Sequence, residues 1–212
     1  MERLGHKAFG VAGALILTAV ATRAQDEGVK RVEELVKSAG STVQAISEAK
    51  LQFTKTIDAY NAVLAEDAKD RKKLYKHLQR EMETTDKRRA EVTRRANVMR
   101  LEADTVFKGW ADAAVGIQSA DLKSRSEERL KQTKQRFGEI DAAGNKSVEL
   151  YTPVMKTLQD QVTYLGHDLN AQAVASLRPD AAKLNTQAQE LAKRIDETMA
   201  VANKNIDTLR PE

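Results

Sequence analysis

Residues 25–212 contain two histidines, His77 and His167, and the chain has no cysteine. Helical metal sites repeat their donors at one-turn spacing, as Glu-x-x-His in di-iron bundles or His-Glu-x-x-His in zinc proteases, so that the ligands converge on one face. Neither pattern occurs here. His167 stands beside Asp168, but neighbouring residues on a helix project about 100° apart and cannot work as a base and its orienting acid. No Gly-rich phosphate loop and no nucleophile elbow is present. These residues predict a protein that is not an enzyme, holds no cofactor and takes no small-molecule substrate.

One stretch offers another kind of chemistry. From Lys69 to Arg100 (KDRKKLYKHLQREMETTDKRRAEVTRRANVMR) there are 12 Lys or Arg against 5 Asp or Glu. The whole chain is only +4, so the remainder is mildly acidic and the basic character is concentrated in this segment. A solvated helix exterior with internal ion pairs is one reading. The other is attraction to an anionic lipid surface or acidic envelope polymer, near which each Lys or Arg contributes on the order of 1 kcal/mol. On that reading Lys72, Lys73, Lys76, Arg80, Arg88, Arg94 and Arg95 form the binding residues. Nucleic acid is not expected, because the lone aromatic in the run, Tyr75, falls in an apolar seam rather than on a stacking face.

The N-terminus predicts export. Arg3, His6 and Lys7 precede an apolar run from Phe9 to Ala21, followed by small residues suited to a signal peptidase. We place the cut after Ala24, giving a signal peptide over 1–24, one domain over 25–212 and a periplasmic location. The run is shorter than the roughly 20 residues of a membrane span; an uncleaved inner-membrane anchor is the alternative.

Everything else must position the basic segment. Ten glycines, three prolines, 4% aromatics and 31% charged residues are the composition of long helices. Val29, Val32, Val36, Ala39, Val43, Ile46, Lys50, Phe53, Ile57, Tyr60 and Leu64 recur at alternating spacings of three and four. That period keeps one stripe facing a partner helix. A second seam runs from Tyr75 through Leu78, Met82, Thr85, Arg89, Val92 and Met99 to Ile117. The turn between the two is expected at 65–70 with Asp67 as cap, and the next at 118–121 with Ser119 as cap. A third helix is expected to run to residue 177, bent at Pro153, and a fourth to start after Arg178, with Pro179 in its first turn. The fold class is all-α, an elongated antiparallel coiled coil or up-down bundle of three to four long helices.

Residues 151–177 (YTPVMKTLQDQVTYLGHDLNAQAVASL) carry only Lys156, Asp160 and Asp168 as charged groups. A helix surrounded by others loses its polar face, so the four-helix level is expected at the end shared by the 65–70 and 177–180 turns. The sharper reading makes the same stretch a self-association surface, through Val162, Leu165, Leu169 and Val174, with a second copy or a protein partner on it.

The segment PVMKTLQDQVTYLGHDLNAQAVASL (153–177), together with VFKGWADA (106–113) and SEERLKQTKQRFGEI (126–140) and, more weakly, RVEELV and EAKLQF near the start, resembles domain-of-unknown-function family 2959. The resemblance implies a long helical protein of the bacterial envelope. It supplies no activity and no catalytic residues. Two departures stand out: the break AEDAKD is shorter than the family's acidic, Gly-containing one, and relatives often look like lipoproteins whereas this chain has no Cys.

Overall fold

The computed structural model describes residues 12–209, with side chains from residue 29 onward. Residues 1–11 of the expected signal peptide lie outside the described residues. Four helices follow one another: α1 (Ala12–Leu64), α2 (Arg71–Val115), α3 (Ala120–His167) and α4 (Ala171–Leu209). They form an all-α up-down bundle in which α1 packs on α2 and α4, and α3 packs on α4 and α2. At 1.5 Å per residue, α2 and α3 are about 70 Å long. Among the described residues, no helix is long and apolar enough to cross a membrane.

The caps show how local chemistry divides the chain. Asp70, not Asp67, begins α2, its carboxylate accepting from the Lys73 amide at 3.0 Å. Arg71 braces the same turn by donating to the Ala65 carbonyl at 2.9 Å. Ser119 begins α3 as expected, accepting from the Leu122 amide at 3.4 Å.

The last turn is a correction. α3 ends at His167 and α4 starts at Ala171, so the break lies at 168–170 and not at 177–180. Asn170 acts as the cap, accepting from the Ala173 amide at 2.8 Å, and satisfies a donor that Pro179 cannot address from within the helix. Pro179 sits inside α4 on its exposed face, as does the carbonyl-bearing Ala175 one turn earlier. Water can satisfy the acceptor that the missing amide leaves, which is why a proline is tolerated there. Pro153 is likewise exposed within a continuous α3.

This displaced turn resolves why 151–177 is poor in charge. The stretch spans the α3–α4 turn, so residues 171–177 fold back on the last turns of α3 while Val154 and Leu158 are buried among the four helices. The turns 65–70 and 168–170 lie at the same end, where Phe53, Tyr60, Leu78, Leu158, Leu165 and Leu184 from all four helices form one core cluster. A second cluster joins Leu35, Met99, Phe107, Leu130, Ile140 and Ile206 farther along the bundle. At the edge of the first cluster and between the two the packing turns polar. The Thr56 and Thr85 hydroxyls bond each other at 2.7 Å beside Phe53 and Ile57, and between the clusters Ser147 and Thr198 do so at 2.9 Å and Lys50 pairs with Asp196 at 2.6 Å. Lys50 thus occupies the first seam as a cross-helix ion pair.

Two glycines make opposite demands. A Cβ on Gly166 would stand 2.5 Å from the Tyr75 hydroxyl, which donates to the Val162 carbonyl at 3.0 Å. A Cβ on the exposed, mid-helical Gly138 meets nothing within 4 Å. Gly166→Ala is therefore expected to destabilise the fold by about 1–2 kcal/mol through displacement of Tyr75. Gly138→Ala should stabilise it by about 0.5–1 kcal/mol through helix propensity. Urea unfolding of the two variants checks the opposite signs.

Candidate functional site

The residues that could engage an anionic surface divide by what their side chains touch. Arg88 reaches across to Glu48 of α1 at 2.7 Å. Arg94 and Arg95 both close on Glu91, at 2.7 and 2.6 Å. The bonds from Arg94, then Arg95, hold the Glu91 carboxyl at a pKa of about 2. These three arginines are occupied within the bundle.

Lys72, Lys73, Lys76 and Arg80 are different. All four are exposed, and none makes an ion pair among the described residues. Within α2 they stand at 72, 73, 76 and 80, spacings that share one side of a helix, and Lys69, also exposed, precedes them in the turn before the Asp70 cap. The stripe covers the first three turns of α2, at the four-helix end. Of the acidic groups nearest in sequence, Asp70 caps the helix, Glu66 pairs with Arg178 and Glu81 accepts from Gln52, while the exposed Asp67 makes no ion pair among the described residues.

The position of the stripe is electrostatically costly for the free protein. A helix N-terminus carries a partial positive charge, and like charges in the first turn are unfavourable by a few tenths of a kcal/mol each. The first turn of α2 has no acidic side chain and holds Arg71, Lys72 and Lys73. Only Arg71 turns inward to the preceding carbonyls. The arrangement would be relieved by an external anion, and amides, helix dipole and lysines all favour one there.

Val162, Leu165 and Val174, read from the sequence as self-association residues, are 3%, 0% and 0% exposed within a single chain. Leu169 is partly buried against the same cluster. The 168–170 turn places all four inside the four-helix level, so contact between copies through Val162, Leu165 and Val174 requires the bundle to open. His77 lies 3.5 Å from Glu81 on the surface, and His167 is exposed at the end of α3. Among the described residues no group of three or more His, Asp or Glu side chains is placed to hold a metal ion.

The Glu91 cluster supplies a pH-dependent prediction. An ordinary glutamate titrates near 4.3, and here the folded value is about 2. The folded value is the depressed one, so the contribution is present above about pH 4.3 and is lost as pH falls toward 2. Carboxyl-carbon NMR should place the Glu91 midpoint near 2. Replacing Arg94 and Arg95 together by Ala should return it to the ordinary range.

Comparison of the chain with curated proteins and with solved structures finds no match. A family model described as "Protein of unknown function (DUF2959)" matches residues 22–209, the span of nearly the whole bundle, and the chain belongs to that family.

Proposed function

We propose that this chain is a non-enzymatic binding protein of the periplasm that docks on an anionic membrane surface through the α2 stripe. The observation that carries the reading is the exposed set Lys72, Lys73, Lys76 and Arg80, without an ion pair among the described residues, in the first three turns of α2. Polybasic groups of this kind gain on the order of 1 kcal/mol each near anionic headgroups, and the gain decays over a Debye length of about 10 Å at 0.1 M salt. The basic N-terminus followed by the apolar run of 9–21 supports export. Self-association, the leading reading of the sequence, to which anionic-surface binding is the alternative, draws less support, because Val162, Leu165 and Val174 are consumed by packing within one chain.

The test is flotation of residues 25–212 with anionic and with neutral vesicles at low and high salt. Flotation with anionic vesicles alone, lost at high salt, supports the reading. Flotation that ignores vesicle charge or persists in high salt overturns it. Absence of flotation, combined with salt-sensitive capture on an acidic polysaccharide, transfers the stripe to an envelope polymer.

A further inference from the structure

Between the two core clusters the four helices part around a cavity of about 250 Å³. Its cause is legible: each helix contributes small residues to the lining, Ala39 and Ala49 from α1, Ala96 from α2, Gly144 from α3 and Ala202 from α4. Facing small residues leave volume that a close-packed interior would fill. The lining on α1 runs from Ala39 to Phe53, a length of about 21 Å along the helix axis. The space is therefore narrow and elongated. Its walls are apolar, built from Val43, Ile46, Val92, Met99, Ile140 and Ile195. An apolar cavity of about 150 Å³ suffices to hold benzene, so this one has room for a longer, slender group.

The mouth opens between α2 and α3, where Arg89, Thr93, Asn145 and Val148 are exposed. Of its charged groups, Arg100 at the mouth is held by Asp141 at 2.6 Å, and Lys50, on the opposite side of the cavity, is held by Asp196 of α4 at 2.6 Å. Arg89 is held loosely: Asp86 is 3.9 Å away and the Arg89 side chain is 56% exposed. Beside it the Tyr151 hydroxyl is buried with no hydrogen-bond partner among the described residues. Burial raises the Tyr151 pKa, with Asp86 raising it further and Arg89 lowering it, so the three groups share one neighbourhood. An unanswered donor and a loosely paired cation at the rim of an apolar slot describe a ligand with an acceptor-rich anionic head and an apolar tail.

We propose that this cavity binds a single-chain anionic amphiphile of the fatty-acid class, its alkyl tail between the helices and its carboxylate accepting from the Arg89 guanidinium and the Tyr151 hydroxyl. The carboxylate displaces Asp86 from Arg89 and meets repulsion from Asp86 and Asp141, the latter offset by Arg100. A cationic amphiphile of the same tail would face Arg89 directly and leave the tyrosine hydroxyl unanswered. The inference is independent of the α2 stripe, since Lys72, Lys73, Lys76 and Arg80 do not line the cavity.

The experiment is a titration of the full chain with decanoate, below its micelle concentration and without vesicles, followed by methyl NMR. Met99, Ile46 and Ile195 should shift saturably, while Leu165 and Leu184 in the neighbouring cluster should not. Decyltrimethylammonium should give no saturable shift. Arg89→Gln should weaken binding about tenfold, the effect of one charge-assisted hydrogen bond, and Tyr151→Phe should weaken it several-fold. Gly144→Leu, at a site where a Cβ meets nothing within 4 Å, should abolish binding while retaining helical content and cooperative melting. If that variant does not fold, the Arg89→Gln result decides. The proposal is overturned by the absence of saturable shifts at the cavity methyls, by equal affinity for the cationic amphiphile, or by undiminished binding in Arg89→Gln. Substituting Lys72 and Lys76 should leave the titration unchanged, so failure here and failure of vesicle docking can be told apart.

Discussion

Replacing Leu165 by Ala is expected to lower the unfolding free energy by about 3 kcal/mol, within the roughly 2–5 kcal/mol range for truncating a buried leucine. Leu165 is fully buried in the cluster to which all four helices contribute. Gly166 beside it is pinned by Tyr75, so the helices cannot readily close over the lost volume. Urea denaturation measures the loss, and size-exclusion chromatography of native and variant chains measures its character. A change in oligomeric state with stability intact would mean that Leu165 serves a contact between copies. The same comparison with Leu169→Glu probes the rim of the cluster, where a charge is less completely buried and the cost should be smaller.

The second large effect is on vesicle binding. Neutralising Lys72, Lys73, Lys76 and Arg80 together to Gln should reduce partition onto anionic vesicles by roughly 10³-fold at low salt, taking about 1 kcal/mol for each charge near the surface. Neutralising Arg88, Arg94 and Arg95 removes a comparable charge but should cost far less. Those guanidinium groups are already shared with Glu48 and Glu91. Removing them also releases carboxylates, so a modest loss is expected from the change in net charge alone. Equal losses in the two variants would show that only total charge matters and that the stripe has no special role.

How far the sequence could be read depends on whether the deciding signal was local. The Ser119 cap and the buried centres of both seams, such as Phe53, Ile57, Tyr60, Leu78, Met82 and Met99, were legible, because periodicity and capping are set by residues a few positions apart, whereas Val29 and Ala113 are exposed and the buried Leu35 was missed. The α3–α4 turn was misplaced because Pro179 drew the boundary toward itself. The stronger feature was Asn170, whose side chain caps the following helix, while the proline costs little on an exposed face. Arg89 was read into a seam by spacing, yet it stands at the mouth of the cavity. The small residues that share the cavity lining with it, Ala49, Gly144 and Ala202, come from three other helices. The basic run was plain from composition, but not which of its members remain unpaired. Glu91 lies within a turn of Arg94 and Arg95, whereas Glu48 reaches Arg88 from 40 residues away.

The order in which helices neighbour one another has a consequence for how the chain assembles. α1 with α2, and α3 with α4, are hairpins closed by the turns 65–70 and 168–170, so their contacts are local and their loop-closure entropy is small. The seam between α1 and α4 joins Asn61 to Asn185 and Lys50 to Asp196, separations of 124 and 146 residues. That seam is expected to close after the hairpins on either side exist. It includes reciprocal hydrogen bonds between the Asn61 and Asn185 side-chain amides and the Lys50–Asp196 ion pair, and with the α2–α3 contacts it joins two halves that each keep their own turn.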